Sequence, residues 1–205
     1  MIQNIIKFMV LVIIITLTFS CQKNGNTEQV STEKAEMVAT STDDEKQFGL
    51  GASAPDFNLP DLNGEMVSLS SLKGKVIVIH YGTSWCPFCN AEAPHLEKLY
   101  NDYKAQGVKV FYIDVKEPAE IVQEKLQDRF NFSFPLLLDS DGSVAASYCP
   151  PDVQPDLARD EVMIASNLVI DQEGKIRFFS LLDTQSFDAK LEALRAKLDE
   201  VLASN

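Results

Sequence analysis

The chain has 205 residues, 45% of them hydrophobic, with 18 Lys and Arg against 30 Asp and Glu and a formal net charge of −12. That length holds one ordinary domain with room for extensions. The acidic balance excludes a nucleic-acid partner and electrostatic adhesion to anionic lipid, and by itself it describes only a solvated surface.

In chain order, the first segment reads as a targeting signal. Lys7 is the sole charge before Cys21, and Phe8 to Phe19 is an apolar run broken only by Thr16 and Thr18. At 12 residues the run is short for a membrane span and right for a signal-peptide core. Ser20-Cys21 resembles the cleavage and lipidation point of a bacterial lipoprotein, although Thr18 and Phe19 stand where the usual pattern has Leu and a small residue. The expectation is a signal peptide over 1–20 and a lipidated Cys21 on the periplasmic face of a bacterial membrane. An uncleaved N-terminal anchor is the alternative and leaves the domain on the same outer side. Residues 22–47 are rich in Glu, Thr, Ser, Lys and Asn and poor in apolar side chains, so they cannot build a core. Residues 21–48 therefore read as a lipidated cysteine with a flexible tether, and 49–205 as the globular domain.

Phe57 to Leu59 and Val67 to Leu69 flank Asn63-Gly64, a strong hairpin signal, so an N-terminal β-hairpin is expected. Val76 to Tyr81 is an apolar run interrupted only by His80, as in a strand buried on both faces. A helix should follow, with Leu96, Leu99 and Tyr103 on one side, a kink at Pro94 and an end at Gly107. Val108 to Val115 reads as a strand and Ala119 to Phe130 as a helix facing inward with Val122, Leu126 and Phe130. Pro135 to Leu138 is a short strand before the Asp139 to Gly142 turn, and an irregular stretch follows. Leu168 to Ile170 and Ile176 to Leu181 bracket Asp171 to Gly174 as a second hairpin. Ser186 is placed to cap a last helix carrying Phe187, Leu191, Leu194, Leu198 and Leu202. This alternation predicts an α/β domain with a central mixed sheet flanked by helices.

The chemistry centres on Trp85-Cys86-Pro87-Phe88-Cys89, which follows the apolar strand directly. A helix starting at or just after Cys86 offers free N–H groups and a positive dipole end to that sulfur, favouring the thiolate that attacks disulfides. Cys89 lies one turn on, where it can resolve a mixed disulfide on Cys86. Pro87 suits a first helical position, and Phe88 sets an apolar side chain beside an exposed thiol. Trp85, Pro87 and Phe88 are the candidate substrate contacts. A zinc site is one alternative, with only Cys149, His80 and His95 left to complete a ligand set. A purely structural bridge is another, although so short a loop gains little entropy from closure. Cys149 is an odd thiol, read either as a buried small apolar residue or as a third redox partner.

Together these motifs resemble the thioredoxin fold, and within it the TlpA/ResA-like membrane-tethered thiol-disulfide oxidoreductases of the redoxin, AhpC/TSA-like group. The resemblance covers about Gly49 to Leu202 and rests on Ala54-Pro55-Asp56-Phe57, Leu72-Lys73-Gly74-Lys75, Thr83-Ser84-Trp85-Cys86 and Leu168-Val169-Ile170-Asp171 with Gly174-Lys175-Ile176. It implies a redox-active disulfide between Cys86 and Cys89, with Glu92 as the acid that exchanges a proton with the pair. A solvated helix-surface Glu92 is the bland alternative. It implies no cofactor, envelope proteins with disulfides or thiols as partners, and a membrane thiol-disulfide donor that supplies electrons. The family's cis-proline slot, opposite the pair where bound peptide is contacted, holds Ala165; a cis bond there costs about 3 kcal/mol and a trans bond is expected. Cys149 to Ile164 is longer than the family's usual connection and reads as an active-site-side loop. His80 reads as a satisfied core residue and His95 as a surface one. A thiol peroxidase is the competing enzyme: Thr83 fits a Thr-x-x-Cys pattern, but Ile79 stands where that pattern has Pro, and Arg159 lies early for the partner Arg. A redox-sensing binding module without turnover is the third reading.

Overall fold

The computed structural model describes residues 49–204. The expectations for the signal peptide, for lipidation of Cys21 and for the tether to residue 48 lie outside the described residues. Among the described residues no helix is long and apolar enough to cross a membrane.

A small antiparallel hairpin, β1 (Asn58–Pro60) with β2 (Met66–Ser68), precedes a five-stranded sheet in the order β5-β4-β3-β6-β7. The sheet strands are β3 (Ile77–Gly82), β4 (Lys109–Val115), β5 (Leu136–Asp139), β6 (Ser166–Ile170) and β7 (Ile176–Ser180). Central β3 runs parallel to β4 and antiparallel to β6, so the sheet is mixed as expected. Every residue of β3 is buried, which explains the nearly unbroken apolar run.

Strand alternation splits the core in two. Val76 and Val78 face a layer built by α1 (Pro87–Tyr103), α2 (Ala119–Val122) and α6 (Glu192–Ala203), through Leu96, Leu99, Val122, Leu194 and Leu198. Ile77, Ile79 and Tyr81 face the other layer, where the hairpin's Phe57 and Leu59 meet Ala145 of α4 (Ser143–Ser147) and Met163, which follows α5 (Arg159–Val162). Each such fully buried aliphatic side chain contributes about 1.5–3 kcal/mol. Helices on both faces are thus present, and the N-terminal hairpin seals one of them.

Several local expectations are corrected. The Asn63-Gly64 hairpin does not close as a two-residue turn. Only Gly64 is left-handed, and a five-residue loop is organised by Asp61, whose Oδ1 accepts the Asn63 and Glu65 N–H groups at 2.8 and 2.9 Å. The helix from Ala119 passes through a π-helical stretch, Gln123–Gln127, before α3 (Asp128–Phe130). The last helix begins at Glu192 and not at Ser186: its N-cap is Leu191 in a left-handed conformation, and the Asp188 carboxylate accepts the first-turn Ala193 N–H at 2.9 Å. Ser186 donates to Asp183 instead.

Candidate active site

β3 ends at Gly82, and Thr83-Ser84-Trp85 turns the chain into α1. Gly82 is required for room: a Cβ there would lie 2.3 Å from Tyr112 Oη and 2.8 Å from His80 Nε2. Tyr112 Oη donates to the Thr83 carbonyl at 3.3 Å, and Asn90 Nδ2 to the Ser84 carbonyl at 2.9 Å. The Glu117 carboxylate accepts both the Ser84 N–H and, at 2.6 Å, the Ser84 hydroxyl. The turn is therefore clamped by β4, by α1 and by the loop that follows β4.

Cys86 is the N-cap of α1 and Pro87 its first residue, as the spacing predicts. Cys86 and Cys89 are joined as a disulfide with Cα atoms 5.3 Å apart, and the Cys89 N–H points at Cys86 Sγ across 3.1 Å. When the bridge opens, that N–H and the helix dipole remain aimed at Cys86 and stabilise its thiolate. The expectation of an exposed thiol is corrected: Cys86 is 3% exposed and Cys89 fully buried, because Phe88, Ile164, Ala165 and Leu182 pack around them. Trp85, by contrast, is 66% exposed, and Phe88 packs edge-on against Phe187 with ring centres 4.9 Å apart.

Ala165, in the slot where the resemblance implies a proline, packs in one buried cluster with Cys86 and Cys89. No cis peptide occurs among the described residues, in line with the expectation for this slot. Ala165 adopts φ 64, a left-handed conformation that costs a non-glycine residue about 1–2 kcal/mol. Its N–H donates to the Tyr81 carbonyl at 2.8 Å, a bond that a proline cannot make.

Glu92 is not a solvated helix-surface residue. It is 3% exposed and accepts from Asn167 Nδ2 at 3.1 and 3.2 Å, while His80 Nδ1 lies 3.2 Å from its Oε2. His80 Nδ1 also lies 3.0 Å from Asn167 Oδ1, and since both neighbours are acceptors, Nδ1 carries the ring proton. His80 is thus only half satisfied, because its buried Nε2 has no hydrogen-bond partner among the described residues. Glu92, Asn167 and Ala165 line one cavity, and Ala165 also packs in the cluster that holds Cys86 and Cys89.

Cys149 does not join the pair. It packs at the edge of the core layer that holds Tyr148 and Met163, its thiol faces the Pro150 carbonyl at 3.5 Å, and burial raises its pKa. The loop from Cys149 to Ile164 does lie beside the active site, where Gln154, Leu157, Glu161 and Ile164 share a groove with Trp85 and Cys86. Arg159 holds that loop by donating to the Pro150, Val153 and Gln154 carbonyls at 3.2, 2.7 and 2.8 Å. His95 is half-buried on α1. Among the described residues no group of three His, Cys, Asp or Glu side chains is arranged to hold a metal.

Sequence reasoning missed Asn167, Asp114 and Glu117. Asp114, buried at the end of β4, accepts the Glu117 N–H at 3.1 Å, and burial together with the adjacent Glu117 raises its pKa to about 8. The available signal was a lone polar residue inside an apolar strand, which marks Asp114 as it marks His80.

The AhpC/TSA family pattern matches residues 50–179, more than half of the chain. The chain belongs to the AhpC/TSA family. Among curated relatives it is similar to the thiol-disulfide oxidoreductase ResA of Halalkalibacterium halodurans, 39% identical over 98 residues that make up 48% of this chain and 55% of that protein. ResA of Bacillus subtilis is 32% identical over 126 residues, 62% of this chain and 64% of that one. The chain thus spans little more than half of the first relative. Among solved structures, the thioredoxin domain of a thiol-disulfide oxidoreductase from Bacteroides vulgatus superposes with a TM-score of 0.57 at 24% identity, covering 72% of this chain and 96% of that one. A thioredoxin-family thiol:disulfide interchange protein from Chlorobium tepidum gives 0.59 at 20% identity, covering 75% and 98%. The fold of this AhpC/TSA member is the thioredoxin fold, as the strand order and the cysteine placement already indicated.

Proposed function

We propose that the chain is a thiol-disulfide oxidoreductase, tethered by lipid at Cys21 on the periplasmic face of a bacterial membrane, that reduces or exchanges disulfides in envelope proteins. The observation that carries this reading is the Cys86 Sγ at the start of α1 with the Cys89 N–H directed at it. In the reducing direction, the Cys86 thiolate attacks a substrate disulfide, forming a mixed disulfide and releasing one substrate thiolate. The Cys89 thiolate then attacks Cys86 Sγ and releases the second, so two electrons pass to the substrate and the Cys86–Cys89 disulfide remains. A membrane thiol-disulfide donor returns the electrons, and no cofactor takes part.

Cys89 must lose its proton in a fully buried place, and Glu92 is the carboxylate assigned to take it, held by His80 and Asn167. Glu92→Gln keeps the shape and removes the proton acceptor. It should slow exchange on the order of 10²-fold and change its pH profile, read by stopped-flow thiol exchange across the neutral range. An unchanged profile would assign Glu92 to structure alone.

The peroxidase reading is less well supported, because Arg159 spends its guanidinium on loop carbonyls. The deciding experiment offers the reduced full chain hydroxyethyl disulfide and hydrogen peroxide in parallel. Faster Cys86-dependent consumption of the disulfide is expected, and faster consumption of peroxide would reverse the assignment. Absence of turnover with either would favour the redox-sensing module.

A further inference from the structure

Of the four large hydrophobic side chains exposed among the described residues, two, Trp85 at 66% and Leu157 at 45%, line the same groove. That groove, of about 750 Å³, has Cys86 in its wall, Phe88 and Leu182 along it, and Glu161 and Asp183 as its charged lining, with no Lys or Arg. Hydrogen bonds from Ser186 and Gln185 hold the Asp183 carboxyl below its ordinary pKa and keep it charged. The far wall is prearranged: Arg159 ties the loop's carbonyls together, and the Lys116–Asp160 ion pair at 2.6 Å fastens α5 to the end of β4.

We propose that this groove binds an extended segment of the target protein in which the reacting cysteine is flanked by a large apolar side chain, seated between Trp85 and Leu157, and by a basic side chain, drawn to Glu161 and Asp183. This rests on the oxidoreductase reading and adds the substrate class. Complementarity at the point of chemistry supports it. Cys86 is 3% exposed and its surface opens into this groove, so a partner's disulfide reaches it along these walls. Exposed apolar area beside a reactive atom marks a contact surface, and single-sign charge around it selects the opposite sign in the partner. The loop's Leu157, Glu161 and Ile164 line this groove next in sequence to Ala165, which stands in the family's proline slot.

The chain has one tryptophan, Trp85, so its fluorescence reports occupancy of the groove directly. In the unreactive C86S/C89S protein, a ten-residue peptide carrying Leu and Lys around a central Ser should bind about 5-fold more tightly than its Lys→Glu counterpart. Glu161→Gln with Asp183→Asn should cut that preference to within about 2-fold, as should about 1 M salt. Leu157→Ala should weaken the Leu-containing peptide and leave a Gly-containing one unchanged. Equal binding of both charge variants, or a preference that survives neutralisation of both acids, overturns the proposal. Because this measurement needs no turnover, its failure is separate from a failure of the reduced wild-type chain to reduce hydroxyethyl disulfide.

Discussion

Cys86→Ser is expected to abolish disulfide exchange, by at least about 10³-fold, whereas Cys89→Ser should attack once and stop as a stable mixed disulfide. The asymmetry follows from position. Cys86 caps α1, receives the Cys89 N–H and has a surface on the groove, while Cys89 is fully buried beneath it. A substrate sulfur therefore meets Cys86 first, and Cys89 acts only on the adduct from inside. Mass spectrometry after mixing reduced Cys89→Ser with a disulfide peptide should show one covalent adduct at Cys86 that a small thiol releases. Turnover of Cys89→Ser at the wild-type rate, or an adduct on Cys89 in Cys86→Ser, would contradict the assigned order of attack.

Much of this site is local in sequence and was legible there. The five residues from Trp85 to Cys89 carry the strand exit, the cap, the first-turn proline and both sulfurs, and the 3.6-residue period of α1 places Leu96 and Leu99 in the core. Glu92 was reachable as one helical turn beyond Cys89, but its surroundings were not. Its partners His80 and Asn167 sit opposite each other on β3 and β6, and that register depends on pairing between strands 87 residues apart. A histidine inside an apolar strand announces that something polar must face it, without saying what. The same limit hid α4 and α5, short helices of five and four residues whose stability comes from packing on the sheet and not from their own periodicity. The misplaced start of α6 has a different cause. Ser186 is a good capping residue by type, but the N-cap is Leu191, whose left-handed turn carries no capping signal in sequence and lets the Asp188 carboxylate reach the Ala193 N–H.

The second large effect concerns the clamp beneath the active-site turn. Asp114 is buried, burial and the neighbouring Glu117 carboxylate raise its pKa to about 8, and its Oδ1 accepts the N–H of Glu117, whose carboxylate holds Ser84. An ordinary aspartate titrates near 3.9, so between about pH 4 and 8 the folded chain keeps a proton that the unfolded chain has lost. The folded state then binds more protons, and stability falls as pH rises through that window, reaching the full penalty above about pH 8. Over a window that wide the penalty has an upper bound on the order of 5 kcal/mol. Asp114→Asn imitates the protonated acid: it is neutral, and its oxygen still accepts the Glu117 N–H. The variant should match the wild type near pH 4 and exceed it at pH 9 by several kcal/mol, a rise in melting temperature of about 10 °C for a domain of this size. Parallel melting curves for the two proteins from pH 4 to 9 would remove Asp114 as the source of the slope. A gap that opens with pH would show that the turn presenting Cys86 is braced by a carboxyl that must stay protonated, and would put the useful range of the clamp below pH 8.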